Sequence, residues 1–278
     1  MRAAVVGHVE WVEFVRVERV PVPGDIVRAL DAWEEPAGGG GVAAVQLAKL
    51  AGACTLYTAL GNDERGRRVR AELPRFGVRV EAATRPEPHR RAVTFVDASG
   101  ERSITVIGSR LSAAAADPLA WAELDATDAV YLCAADAAAV RLARRARVLV
   151  ATARVLPVLR EAGIELDALV GSVRDPAEGY RHGELVPAPK LVVRTDGDKG
   201  GEYWERDGKP QRFSPAPLPG PIADTYGAGD SFAAGLAYGL ALSGSRPEAI
   251  AFAARCGAAA LTGRGAFAGQ LHLTAGGA

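Results

Sequence analysis

The segment Asp224-Thr-Tyr-Gly-Ala-Gly-Asp230, running on into Ser231-Phe-Ala-Ala-Gly-Leu-Ala-Tyr-Gly-Leu240, joins a glycine-bearing turn to an apolar stretch. Phe232, Leu236 and Leu240 recur at i, i+4 and i+8, the apolar stripe of a helix. The turn therefore delivers the chain directly into a helix N-terminus. Backbone N–H groups of residues 227 to 230 have no partners inside such a helix, and the helix dipole adds to their attraction for an anion. Gly227 and Gly229 carry no side chain to hold a phosphate off the backbone, and Ala228 between them adds only a methyl. Asp230 then stands as a carboxylate beside the anion site. It can take the proton of an attacking hydroxyl while the amides hold a phosphoryl group. A plainer reading makes Gly-Ala-Gly-Asp a helix cap, since Asp caps well.

Outward from this segment, short apolar runs recur at intervals suited to alternating strands and helices. Ala3 to Val6, Ala129 to Cys133, Val148 to Ala151, Ala168 to Gly171 and Leu191 to Thr195 read as buried strands. Ala137 to Arg147 reads as a helix with exposed arginines, and so do Arg65 to Arg70. Strand, helix, strand in this rhythm implies parallel pairing, because parallel strands need crossover connections. The fold class is α/β. Two segments break the rhythm: Val12 to Val20, and Arg91 to Ile107 with its Asp97-Ala-Ser-Gly100 turn. Both read as antiparallel strands with one wet face. Together they predict a small lid sheet, from about 12–34 and 88–109, within a single domain spanning 1–278.

Lysine plus arginine equals aspartate plus glutamate at 33 each, which favours neither nucleic acid nor an anionic membrane as partner. Cys54, Cys133 and Cys256 are too far apart for a C-x-x-C site and read as buried thiols. The four histidines show no metal-ligand spacing. The apolar run after Met1 is too short for a signal-peptide core, and Ser231 to Ser245 is shorter than a membrane span. A soluble, cytoplasmic protein is the expectation.

Asp224 to Asp230 resembles the D-T-x-G-A-G-D motif of the ribokinase-like (phosphofructokinase-B) carbohydrate kinases. Four more segments resemble that family's motifs in order: Pro23-Gly24-Asp25, Gly38 to Gly41, Leu60 to Gly66, and Thr195 to Gly200. The resemblance implies a three-layer core with a mainly parallel sheet, a β lid, and transfer of the γ-phosphate of ATP to a hydroxyl of a sugar, polyol or nucleoside. It implies nucleotide contacts at Thr195, Gly197, Gly200, Thr225, Gly227, Gly229 and Cys256, and acceptor contacts at Glu10, Asp25, Gly39, Gly40, Arg154 and Asp230. It also implies magnesium carried by the phosphates with Asp175 nearby, potassium beside Asp224, and a homodimer formed through the lid. No G-x-x-x-x-G-K-[ST] occurs, so the site is not of the Walker type.

The chain departs from the family pattern at three places. Ala43 stands where the family carries a pocket Asn, and Val12 where sugar kinases carry an Asp. The N-x-x-E element reads Ser172-Val-Arg-Asp175. The first two changes remove hydrogen-bonding groups from the expected pocket, so the usual recognition of ribose or fructose is not expected. Glu10, Glu13 or Asp25 would have to take over, or the acceptor differs. Trp11 either packs under the lid or stacks on a substrate. The alternative function is a catalytically silent relative that binds a ligand or partner. A dinucleotide-binding reading of Gly38, Gly40 and Ala43 fails because Asp31 to Ala37 is no buried strand.

Overall fold

The computed structural model describes residues 1–206, 208–243 and 245–273. Thirteen strands and six α-helices follow one another along these residues. The first half contains β1 (Ala3–Val6), β2 (Glu10–Arg16), β3 (Asp31–Ala37), α1 (Gly38–Ala51), β4 (Cys54–Gly61), α2 (Glu64–Glu72), β5 (Val78–Arg85), β6 (Arg91–Val96) and β7 (Arg102–Ile107). The second half contains β8 (Ala129–Leu132), α3 (Ala137–Ala143), β9 (Val148–Thr152), α4 (Leu156–Ala162), β10 (Ala168–Ser172), β11 (Val192–Thr195), β12 (Gly201–Trp204), β13 (Gln211–Phe213), α5 (Ala228–Leu242) and α6 (Arg246–Ala260).

Nine strands form one sheet in the order β13-β12-β11-β10-β9-β8-β1-β4-β5. Pairing is parallel from β5 across to β11, and antiparallel only where β12 and β13 close the edge. The short apolar runs behave as fully buried strands because both faces are covered. Ala3 and Val5 belong to one core with residues of α1, α5 and α6, whereas Ala4 and Val6 belong to another with residues of α3 and α4. Side chains alternate across the pleat, so a run apolar at every position needs helices on both sides. The result is three layers.

The chain leaves β1 toward β4 on one side and later returns to β8 on the other. That reversal opens a crevice at the carboxyl ends of β1 and β8, where open α/β sheets bind ligands. Gly7 ends β1 there, and the tight packing around it fixes the crevice floor. A Cβ on Gly7 would lie 2.5 Å from Cys133 Sγ and 2.9 Å from Gly40 Cα. Only glycine lets the start of α1 press this closely on β1.

A second sheet, ordered β3-β2-β6-β7, rises beside the crevice. It comprises the two segments set apart in the sequence, with different limits and pairing. Its first half begins at Glu10 and ends at Ala37, and β2 pairs with β6 in parallel, not antiparallel. The connection allows this, since β6 follows β5 of the main sheet and is not joined to β2 or β3 by a hairpin. The β6–β7 hairpin forms as expected, with β7 exposed along its length. The helix expected over 137–147 ends at Ala143, because Arg144 to Arg147 turn away to reach β9. No helix among the described residues is long and apolar enough to cross a membrane. All three cysteines are buried and free.

Candidate active site

Gly227, at φ 75°, caps α5 and turns the chain into it. Its conformation is left-handed, and a Cβ there would also lie 2.8 Å from Val42 Cγ1. Asp230 sits in the first turn of α5 and makes no capping hydrogen bond, which removes the plain helix-cap reading. Instead Asp230 Oδ1 accepts a hydrogen bond from the Tyr131 hydroxyl at 3.2 Å. Desolvation raises the Asp230 carboxyl above its usual range, against the pull of His8, Tyr131, Arg154 and Arg102. A raised carboxylate is a stronger base. The backbone N–H groups of 227 to 230 make no hydrogen bond among the described residues. A Cβ on Gly229 would meet nothing within 4 Å, so the space before those amides is open.

Gly39, in the first turn of α1, faces Asp230 from across the crevice. A Cβ on Gly39 would sit 2.9 Å from Asp230 Oδ1 and 3.5 Å from Cys133 Sγ. From Cys133 a polar row continues toward the second sheet. Cys133 Sγ lies 4.0 Å from His8 Nδ1, His8 Nε2 lies 3.6 Å from Glu10 Oε1, and Arg90 Nε lies 2.8 Å from the same oxygen. Burial opposes the charge on Glu10, but the hydrogen bond and charge of His8, with Arg90 and Arg110, hold its carboxyl below the usual range. Val12 and Ala43, in place of the family's polar groups, are fully buried and offer no polar side-chain atom. Gly40 is wedged against the backbone of residues 7 and 8, its Cβ position 2.5 Å from His8 O, so its part is packing.

On the other side of Asp230, Arg154 is held between Asp175 and Glu178, at 2.7 Å from the latter. Glu178 Oε2 also accepts the Ser172 N–H at 2.8 Å. Desolvation raises the Glu178 carboxyl despite Arg154. Arg174 folds over the turn that follows β11, donating to Asp196 O at 2.9 Å and pairing with Asp196 and Asp198. A Cβ on Gly197 would be 2.7 Å from the Arg174 guanidinium. Thr195 ends β11 beside this turn.

Asp224 is 1% exposed and accepts the backbone N–H groups of Tyr226 at 2.8 Å and Gly265 at 3.2 Å. Glu35, on β3, accepts the next N–H along, Ala266, at 2.8 Å. Desolvation, and then the neighbouring Asp224 charge, push the Glu35 carboxyl up to about 7. Thr225 is clasped by the second sheet. Its N–H donates to Gly100 O at 3.0 Å, while Arg102 donates to its carbonyl at 2.9 Å and its hydroxyl at 3.0 Å.

The chain matches the pfkB family carbohydrate kinase profile over residues 2–162 and 163–272. It belongs to that family. No curated protein matches it. Among solved structures, a Thermotoga maritima ribokinase aligns at a TM-score of 0.77 and 21% identity, covering 98% of this chain and 96% of that one. An Arabidopsis thaliana ribokinase complexed with ribose and ATP aligns at 0.71 and 22%, covering 97% and 95%. A Methanocaldococcus jannaschii nucleoside kinase of the ribokinase family aligns at 0.69 and 16%, covering 97% and 95%. At these identities the likeness is one of fold, and the fold is ribokinase-like.

The crevice of this pfkB-family chain gathers Glu10, Gly39, Asp230 and the 227–229 amides, with Arg154 within electrostatic reach. Two residues from the sequence reading stand apart. Cys256 is fully buried behind α5, where a Cβ on Gly235 would be 2.7 Å from its Sγ, so it has no surface to offer a nucleotide. Asp25 is tied to Arg19 and the Val22 N–H in the loop between β2 and β3. Trp11 is 2% exposed and stacked under Arg68 at 3.9 Å, a packing role. Tyr131, Arg90 and Arg102 went unnoticed in the sequence, because each meets its partner across a long stretch of chain.

Proposed function

We propose that this chain is an ATP-dependent kinase that phosphorylates a hydroxyl of a sugar, polyol or nucleoside. The observation that carries the reading is the half-buried Asp230 carboxylate, hydrogen-bonded by Tyr131, beside four unpartnered backbone N–H groups at the start of α5. Asp230 takes the proton of the acceptor hydroxyl. The 227–230 amides neutralise charge growing on the phosphoryl oxygens, and they are fixed before reaction, which is where such donors are most effective. Gly39 and the polar row from Cys133 to Arg90 orient the acceptor. Thr195, Gly197 and Gly200 border the space for the nucleotide, and Arg174 lies over the turn that carries Gly197.

Magnesium fits as an ion that arrives with the triphosphate and keeps its waters. Among the described residues no group of three or more His, Cys, Asp or Glu side chains forms a metal cage, and Asp175 is paired with Arg154. When bound, the ion draws charge from the phosphates. A monovalent cation fits beside Asp224, a buried carboxylate with no ion pair among the described residues and a second acid, Glu35, in electrostatic reach.

The test is ADP release from Mg-ATP over pentoses, hexoses, polyols and nucleosides, with and without potassium, for wild type and Asp230→Asn. We expect turnover with one acceptor class and a loss of roughly 10²–10⁴-fold in the variant, as for removal of a general base. Equal turnover in both proteins removes Asp230 from the mechanism.

A further inference from the structure

Asp230 presents its two carboxyl oxygens to different surroundings. Oδ1 accepts the Tyr131 hydroxyl at 3.2 Å and points at Gly39, where a Cβ would lie 2.9 Å from Oδ1 and 3.5 Å from the carboxyl carbon. Oδ2 makes no hydrogen bond among the described residues. The residue is nevertheless only partly buried. With Oδ1 enclosed between a phenol and a helix backbone, Oδ2 is the oxygen left to face an acceptor.

The place of Tyr131 follows from the sheet. β8 is an inner strand, and Tyr131 pairs with Val5 of β1 on one side and Val150 of β9 on the other. Its side chain shares a face with Cys133, two residues on, whose Sγ lies close to Gly39. Tyr131 is 2% exposed, and its hydroxyl makes no other hydrogen bond among the described residues. A carboxylate can only accept, so the phenol proton lies toward Oδ1. Burial, and then the Asp230 charge, push this phenol well above its ordinary range, so it stays a donor at every working pH.

The other groups that face Asp230 act on it without a hydrogen bond. His8 after β1, Arg154 after β9 and Arg102 on β7 draw the carboxyl down by charge. The Cys133 thiol and the Tyr226 phenol are pushed up by burial, with Asp230 adding to it, and carry no charge. Tyr131 is therefore the one direct donor to the carboxyl among the described residues.

We infer that Tyr131 is a positioning residue for the proposed reaction: its hydroxyl anchors Asp230 Oδ1 and favours the ionised carboxylate, leaving Oδ2 to take the acceptor's proton. This rests on the kinase reading above. As the acceptor oxygen bonds to the γ-phosphorus and the bond to the leaving diphosphate breaks, the hydroxyl proton passes to Oδ2, while Oδ1 keeps its hydrogen bond from Tyr131. A carboxyl subject to desolvation alone would be protonated, and idle as a base, over more of the working range.

The test is Tyr131→Phe, which removes one oxygen and keeps the ring. Carboxyl 13C NMR of aspartate-labelled protein, with Asp230→Asn to assign the signal, gives the Asp230 midpoint without any turnover. The midpoint should rise by about one pH unit, tenfold in the ionisation equilibrium, as for a hydrogen bond to a charged group at the weaker end. In turnover, kcat/KM should fall most on the acid side and recover as pH rises, because Asp230 now holds its proton to higher pH. Affinity for a Mg-bound ATP analogue should be unchanged. Tyr57→Phe removes a buried hydroxyl that meets only Ala120 O, at 3.1 Å, and should move neither readout. An unshifted or lowered midpoint in Tyr131→Phe overturns the proposal. So does a loss of kcat/KM that is equal at every pH, which is what a merely structural role would give. A raised midpoint where no acceptor is turned over supports the hold of Tyr131 on Asp230 and counts against the kinase reading; turnover with an unshifted midpoint does the reverse. If Tyr131→Phe does not fold, 3-fluorotyrosine in place of Tyr131, a stronger donor of nearly the same size, should lower the midpoint, and a midpoint that stays or rises overturns the proposal.

Discussion

Gly39→Ala tests the crevice geometry with one methyl group. The new Cβ would stand 2.9 Å from Asp230 Oδ1, about 0.5 Å inside the 3.4 Å at which ordinary contact begins. Oδ1 is the oxygen that Tyr131 holds at 3.2 Å, so yielding to the methyl means turning the carboxylate off its hydrogen bond. Gly39 lies in α1 and has no positive φ, so its backbone accepts alanine. Helix propensity then returns up to ~1 kcal/mol. Crowding costs about 1–3 kcal/mol where nothing can move, but here a side chain can give. The two effects nearly offset each other, and stability should change by no more than roughly 1 kcal/mol.

Catalysis has no such compensation. A displacement near 1 Å costs on the order of 10²-fold, so half that shift with a lost hydrogen bond should lower kcat by roughly 10- to 100-fold. Steady-state ADP release, thermal unfolding and calorimetry with an ATP analogue separate these quantities. Turnover in Gly39→Ala within about twofold of wild type would mean that Asp230 is not held where the reaction needs it. Gly40→Ala is the contrast. Its Cβ would meet the His8 carbonyl at 2.5 Å and Gly7 backbone carbon at 2.9 Å, neither of which can swing away. That variant should lose stability in the range of overpacked cores, at least about 1–3 kcal/mol.

Two further predictions concern the anion site and the paired acids. Gly229→Val should weaken an ATP analogue more than adenosine in calorimetry with little loss of stability, since its side chain would enter open space; equal weakening counts against the amides as an anion hole. Glu35 makes stability depend on pH. Its folded value of about 7 lies above the ordinary 4.5, so between those limits the folded state keeps a proton that the unfolded chain has released. Stability therefore falls as pH rises through that window and is flat above it. Glu35→Gln keeps an acceptor for Ala266 N–H and removes the titration, so its urea stability relative to wild type should improve from pH 5 to pH 8, by at most roughly 3 kcal/mol given partial solvent access. Parallel curves across that range would show that Glu35 titrates normally.

The parts of this fold that could be read from the chain are those whose signal is local. Phe232, Leu236 and Leu240 announce α5 because one helix face repeats within one stretch, and β1, β8, β9, β10 and β11 announce themselves because burial on both faces makes most of their residues apolar. β5 and β4 escape that rule for physical reasons. β5 is the sheet edge and carries Arg79, Glu81 and Arg85, while β4 interrupts its apolar run with Thr55 and Thr58. β12 and β13, at the opposite edge, are short and half-wet. The site divides in the same way. The anion-binding turn is one contiguous motif and could be read directly. Tyr131 reaches Asp230 across 99 residues and Arg102 reaches Thr225 across 123, so no spacing rule points to either. The acceptor side shows what this means for specificity. Val12 and Ala43 read directly as apolar at positions where the family resemblance implies polar groups. The polar row from His8 and Glu10 to Arg90 emerges only when β2 pairs with β6.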